Sequence, residues 1–161
     1  MNIKNKLEKI IPPNNFRYRL DFSNEHLIDE LNDQEKKEIE KLLIKKLFDS
    51  PDDFLIIETL SYMRSENAIP AMRISLDLCE NFLQKIVVAA SIYKINHESY
   101  MMNIAIDAFE KLYKDIDLIY VFSYLKKFNS EKTDDLIKRY IDNPNFSVSY
   151  KAKRVLGMIK D

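Results

Sequence analysis

The chain has 161 residues, 46% hydrophobic and 32% charged, which excludes a disordered chain and suits one domain with a real core. Its 25 basic and 26 acidic residues leave a formal charge of −1, so the concentrated basic field of a nucleic-acid binder is missing. One Gly and one Cys disfavour sheets and exclude an internal disulfide, and no apolar run approaches the roughly 20 residues of a membrane span.

Residues 3–11 predict a short helix stopped by Pro12-Pro13. Residues 16–22 then alternate, with Phe16, Tyr18, Leu20 and Phe22 set against Arg17, Arg19 and Asp21, the period of a strand. This stretch is either an extended arm laid over the first helices as a cap, or an edge that pairs with a partner's strand. Ser23-Asn24 precedes a short helix carrying Leu27, Ile28 and Leu31. A helix over 33–48 follows, with Ile39, Leu42, Leu43 and Leu47 inward and a solvated row of Lys37, Lys41 and Lys45. Ser50-Pro51-Asp52-Asp53 reads as a helix start, with a capping Ser and Pro at the first helical position, for a helix over 51–64.

The second half continues in pairs. Ala68-Ile69-Pro70-Ala71-Met72 opens one helix, with Leu76 and Cys79 on its apolar face. The run Ile86-Val87-Val88-Ala89-Ala90 is dense in β-branched residues. Its length and Ala pair nevertheless place it in a buried helix over 81–95. Further helices are predicted over 100–113, 115–128, 131–143 and 146–160, the last two separated by Asn143-Pro144-Asn145.

These pairs recur about every 32 residues. Stepping by 32 joins Leu60, Ile92, Tyr124 and Leu156. It likewise joins Ile56, Val88, Tyr120 and Ala152, and Phe54, Ile86, Leu118 and Tyr150. In the column Ile57, Ala89, Val121 and Lys153 only the last member is polar. The first helices give weaker columns, such as Ile44, Leu76, Ala108 and Tyr140. The expected organisation is all-α. A cap segment (1–33) precedes four helix hairpins (about 34–65, 66–96, 97–129 and 130–161), stacked as one domain whose neighbours hide each other's apolar faces.

Ala68-Ile69-Pro70-Ala71-Met72, followed by Ile86-Val87-Val88-Ala89-Ala90 and Ile95, resembles a HEAT-type repeat. Ala152-Lys153-Arg154-Val155-Leu156-Gly157-Met158-Ile159 resembles the ending of that family's second helix, and Lys85 stands near where the family often has an Arg. The resemblance covers about residues 34–161. It departs from the pattern in the first three endings, where Ser61, Tyr93 and Leu125 stand at the position of Gly157, and in the sparse turn Cys79-Glu80-Asn81. It implies an α-solenoid, a right-handed superhelix whose inner helices line a concave binding face. By analogy it implies a protein-binding role, as an adaptor or a bacterial immunity-type protein that blocks a toxin. The alternative within the same resemblance is an enzyme of the DNA-alkylation glycosylase or bilin lyase type. The glycosylase type needs a basic groove, which this composition lacks.

The residues themselves argue against catalysis. One Gly cannot build a phosphate-cradling loop. His26 and His97 have no Cys or carboxylate at metal-ligand spacing and read as surface or capping residues. Cys79 reads as core packing. Asp52-Asp53 and Asp134-Asp135 fit helix starts better than paired acid and base. No catalytic, metal or cofactor site is expected, and no nucleic-acid or membrane partner. Residues 1–8 lack the apolar core of a signal peptide, so the expected chain is a cytoplasmic monomer. Opposite the stripe at 56, 60 and 63, the repeat presents Glu58, Tyr62, Ala90, Lys94, Phe122, Lys126, Arg154 and Met158. Of these, Glu58, Tyr62, Lys94, Phe122, Lys126 and Arg154 are the predicted contacts to a protein partner.

Overall fold

The computed structural model describes residues 2–15, 19 and 22–160. Among them every regular element is helical. The alternating 16–22 stretch lies outside the described residues apart from Arg19 and Phe22. The chain divides into two compact units, Met1–Leu78 and Cys79–Asp161. The boundary falls between the two helices of the second sequence block.

Unit 1 holds α1 (Ile3–Ile10), α2 (Glu25–Asp29), α3 (Asp33–Asp49), α4 (Phe54–Tyr62), a single 3-10 turn (Glu66–Ala68) and α5 (Ile69–Asp77). Helix α3 is the centre, packed on α1, α4 and α5. Its start is a complete capping box: the Asn32 side chain accepts from the Glu35 amide at 2.9 Å, and the Glu35 carboxylate accepts from the Asn32 amide at 3.2 Å. Ile39, Leu43 and Leu47 make its buried stripe, facing Ile10, Ile56, Ile57 and Leu60 in the same core. Asn24 does not cap α2 with its side chain. That side chain is buried instead, and it donates to the Ile10 carbonyl at 2.9 Å and to the Thr59 hydroxyl at 2.7 Å, joining α1 to α4.

The predicted start at Ser50-Pro51 is displaced. Pro51 and Asp52 form a turn, Asp53 takes the N-cap position, and α4 begins at Phe54. The Asp53 carboxylate makes no capping bond because Arg19 occupies it. The two guanidinium nitrogens donate at 2.5 and 2.9 Å, and the same group donates to the Pro12 carbonyl at 2.8 and 3.1 Å. Arg19, a polar position of the alternating stretch, is thus a half-buried clamp on unit 1.

Unit 2 holds α6 (Phe82–Asn96), α7 (Ser99–Phe109), α8 (Asp115–Lys126), α9 (Glu131–Lys138) and α10 (Phe146–Val155). The β-branched run is helical as expected: residues 86–92 of α6 are buried all round, against α7 and α8. Helix α8 in turn packs on α9 and α10. The Phe109, Phe122 and Tyr140 rings form a cluster with centroids 5.4 to 6.3 Å apart. Cys79 lies beyond the end of α5, half-buried, so it is not part of that helix's inner face.

The second helix of each block ends on a left-handed residue: Arg64 (φ 53°), His97 (φ 55°), Asn129 (φ 47°) and Gly157 (φ 72°). At Arg64 the closure is a Schellman motif. The Arg64 amide donates to Ser61 O and the Ser65 amide to Leu60 O, both at 3.1 Å. Gly157 and Met158 repeat it, donating to Arg154 O and Lys153 O. The residues equivalent to Gly157 are therefore Arg64, His97 and Asn129, not Ser61, Tyr93 and Leu125. Helix α10 stops about one turn sooner within its block than the others, so a fixed step of 32 lands inside the earlier helices.

Candidate protein-binding surfaces

The predicted contact residues are divided between the two units. Glu58 and Tyr62 lie one turn apart on α4 of unit 1. Glu58 is half-buried, and the Tyr62 hydroxyl donates to the Asp29 carboxylate at 2.9 and 3.0 Å. That hydrogen bond, ahead of burial, raises the Tyr62 pKa above its usual 10.0. The other four are spread over α6, α8 and α10 of unit 2. Lys94 is half-buried. Lys126 pairs with Asp134 at 2.7 Å. Arg154 is exposed, as is Met158. Phe122 has no exposed surface and stands among the Phe109 and Tyr140 rings, so it is a core residue, and Ala90 is equally buried.

Ala90 and Phe122 are misplaced already by the step of 32 from Glu58, and a second departure follows it. The burial patterns of α8 and α10 superimpose at a step of 30: Leu118 and Phe122 are buried as Val148 and Ala152 are. A step of 32 is two residues off, which turns a helix by about 200° and exchanges inside for outside. Tyr150, placed in an apolar column with Leu118 by the longer step, is exposed for this reason, while Tyr120 is exposed although the step of 32 from Ile56 and Val88 sets it in a buried column. The sequence of α8 offers no correction by itself, since residues 118–122 are apolar or aromatic without a gap.

The exposed side of α8 and α10 is strongly aromatic. Tyr120 is 59% exposed and Phe146 77%, with Ile116 one turn before Tyr120 and Tyr150 one turn after Phe146. Ile116 and Phe146, like Tyr120 and Tyr150, are related by the step of 30. Asn145, the N-cap of α10, donates through Nδ2 to the Asp115 carboxylate at 2.8 Å, so the two helices start from a common end. The Phe146 and Tyr150 rings stack with centroids 5.9 Å apart. Next to this face Tyr113, 81% exposed, borders a cleft of about 310 Å³ lined by Phe82, Leu83, Lys111, Lys114 and Asp117. Lys111 Nζ stands 5.4 Å from the centre of the Phe82 ring. The face continues toward exposed Lys127 and Arg154 at the far ends of the helices. Only the step of 30, legible once Leu118 and Val148 are known to be equivalent, would have found it from the sequence.

Among the described residues no group of three or more His, Cys, Asp or Glu is placed to hold a metal ion. His97 is the left-handed C-cap of α6, its ring edge-on to Tyr93 at 5.4 Å, and His26 is exposed on α2. No described helix is long and apolar enough to cross a membrane. Comparison with protein-family models, curated proteins and solved structures finds no match for this chain.

Proposed function

We propose that this chain is a non-catalytic protein-binding module, built as a HEAT-like α-solenoid of four hairpins, that acts as an adaptor or as an immunity-type inhibitor of another protein. The observation that carries the reading is the exposed face of Ile116, Tyr120, Phe146 and Tyr150 on α8 and α10. Four large apolar or aromatic side chains on neighbouring helices expose surface that a monomer gains nothing by leaving wet, and aromatic anchors of this kind dominate protein interfaces. The partner that fits this face is a protein surface with apolar anchors. The repeating left-handed helix ends, Arg64, His97, Asn129 and Gly157, support the solenoid part of the reading.

The test is site-specific photo-crosslinking in native cells, with a benzophenone side chain at Tyr120, at Phe146 or, as a control, at Lys132 of α9. One common adduct from Tyr120 and Phe146, absent at Lys132 and lost in Tyr150→Asp, is the expected result. Adducts that differ between the two positions, or that appear equally at Lys132, would overturn the assignment. Tight, salt-sensitive binding to duplex DNA would favour the glycosylase-type enzyme instead.

A further inference from the structure

Unit 1 carries a second cleft, of about 430 Å³, whose chemistry differs from the aromatic face. Its walls are the end of α2 (Ile28, Asp29), the first turns of α3 (Lys36, Lys37, Glu40) and the turn after α4 (Tyr62 to Ser65). Three cations stand on it. Lys36, Lys37 and Arg64 make no ion pair among the described residues. The two carboxylates present are already engaged within the fold. Asp29 accepts from the Tyr62 hydroxyl, while one oxygen of Glu40 accepts from the Ser65 hydroxyl and from Asn67. The cleft therefore holds positive charge in excess by one, in a chain whose formal charge is −1.

The left-handed turn that closes α4 sets Arg64, exposed, in the cleft lining, as His97 and Asn129 fill the corresponding turns elsewhere.

We propose that this cleft binds an acidic segment of another polypeptide, with Lys36, Lys37 and Arg64 pairing to its carboxylates. The mixed lining decides between a peptide and a phosphate polymer. Asp29 and Glu40 repel a ligand charged at every unit. Glu40 Oε2, which accepts no hydrogen bond among the described residues, suits a peptide N–H, and Met63 offers apolar contact. The site lies within residues 28–65 and owes nothing to the face on α8 and α10, so either can fail alone.

The test is a titration of the 15N-labelled full chain, at low ionic strength, with a capped peptide of alternating Glu and Ala. Capped polylysine and inorganic phosphate run in parallel. The Glu-Ala peptide is expected to shift the amides of residues 36, 37 and 63–65, with binding weakened at least tenfold in Lys36→Gln/Lys37→Gln/Arg64→Asn. Asn keeps the left-handed turn, so the spectrum of that variant elsewhere reports an intact fold. Shifts spread evenly over all basic residues, or unchanged affinity in the variant, would overturn the proposal. So would phosphate binding at the same residues more tightly than the peptide.

Discussion

Replacing Asp53 with Asn leaves the Arg19 guanidinium inside unit 1 without its counter-charge. The side chains are 15% and 7% exposed, and both guanidinium nitrogens reach the carboxylate, so solvent screens the pair weakly. Removing one partner of a fully buried pair costs about 3–5 kcal/mol. Here Arg19 keeps its bonds to the Pro12 carbonyl and some exposure, which lowers the expected loss to about 2–3 kcal/mol. At 2–4 °C per kcal/mol for a chain of this size, Asp53→Asn should lower Tm by about 4–12 °C. Urea unfolding followed by circular dichroism measures the free energy directly. The double variant Arg19→Met/Asp53→Leu should lose about 1–3 kcal/mol less than the sum of the single losses, because no charge is then stranded. A loss below about 1 kcal/mol for Asp53→Asn, or strict additivity in the cycle, would refute the clamp.

Phe122→Ala should cost about 3–5 kcal/mol in the same assay while Tyr120→Ala costs less than about 1 kcal/mol, the reverse of the roles that the step of 32 assigns them. Equal losses would show that α8 is rotated from the orientation described. Glu35 has its pKa lowered, first by the hydrogen bond from Lys6 and then by the Asn32 amide. A depressed folded pKa gives stability that is present above the ordinary 4.5 and lost as pH falls through the lower folded value. Glu35→Gln should therefore flatten the acid limb of the stability curve, and an unchanged limb would contradict this. Tyr62 has the opposite sign: its pKa is raised by the Asp29 hydrogen bond, so the contribution is complete below about pH 10.0 and lost as pH rises through the higher folded value. Asp29→Asn should bring one tyrosinate absorbance step back toward the ordinary range, and no change in the titration would remove that bond from the account.

Helix starts were legible because they are decided within four residues. Asn32, Asn81, Ser130 and Asn145 each accept a backbone amide two or three positions on, and the predicted starts at 33, 81, 131 and 146 fall within one residue of those found. Helix ends were less legible. Predicted ends at 113, 143 and 160 compare with Phe109, Lys138 and Val155. The caps of α7 and α9, Glu110 and Arg139, keep helical backbone angles and carry no stop signal, and α10 ends two residues before Gly157. Asp53 shows the same limit at a start: its local role as a cap lost to a partner, Arg19, that lies 34 positions away.

Which side of a helix faces inward is a longer-range matter, and here the sequence misled in a way that explains itself. Helix α4 has Glu58 and α6 has Lys94 to mark a polar side, but residues 118–122 of α8 carry no such mark. The inner face of α8 is set by Phe109 of α7 and Tyr140 beyond α9, whose rings meet Phe122. Phe lacks a polar atom and belongs there, whereas Tyr120 and Tyr150 keep a hydroxyl that water satisfies at an exposed position. Polarity differences that small do not register in an apolar-versus-polar pattern, yet they decide which rings a partner can reach. The exposed aromatic face of α8 and α10 is therefore one that an apolar-versus-polar pattern does not reveal.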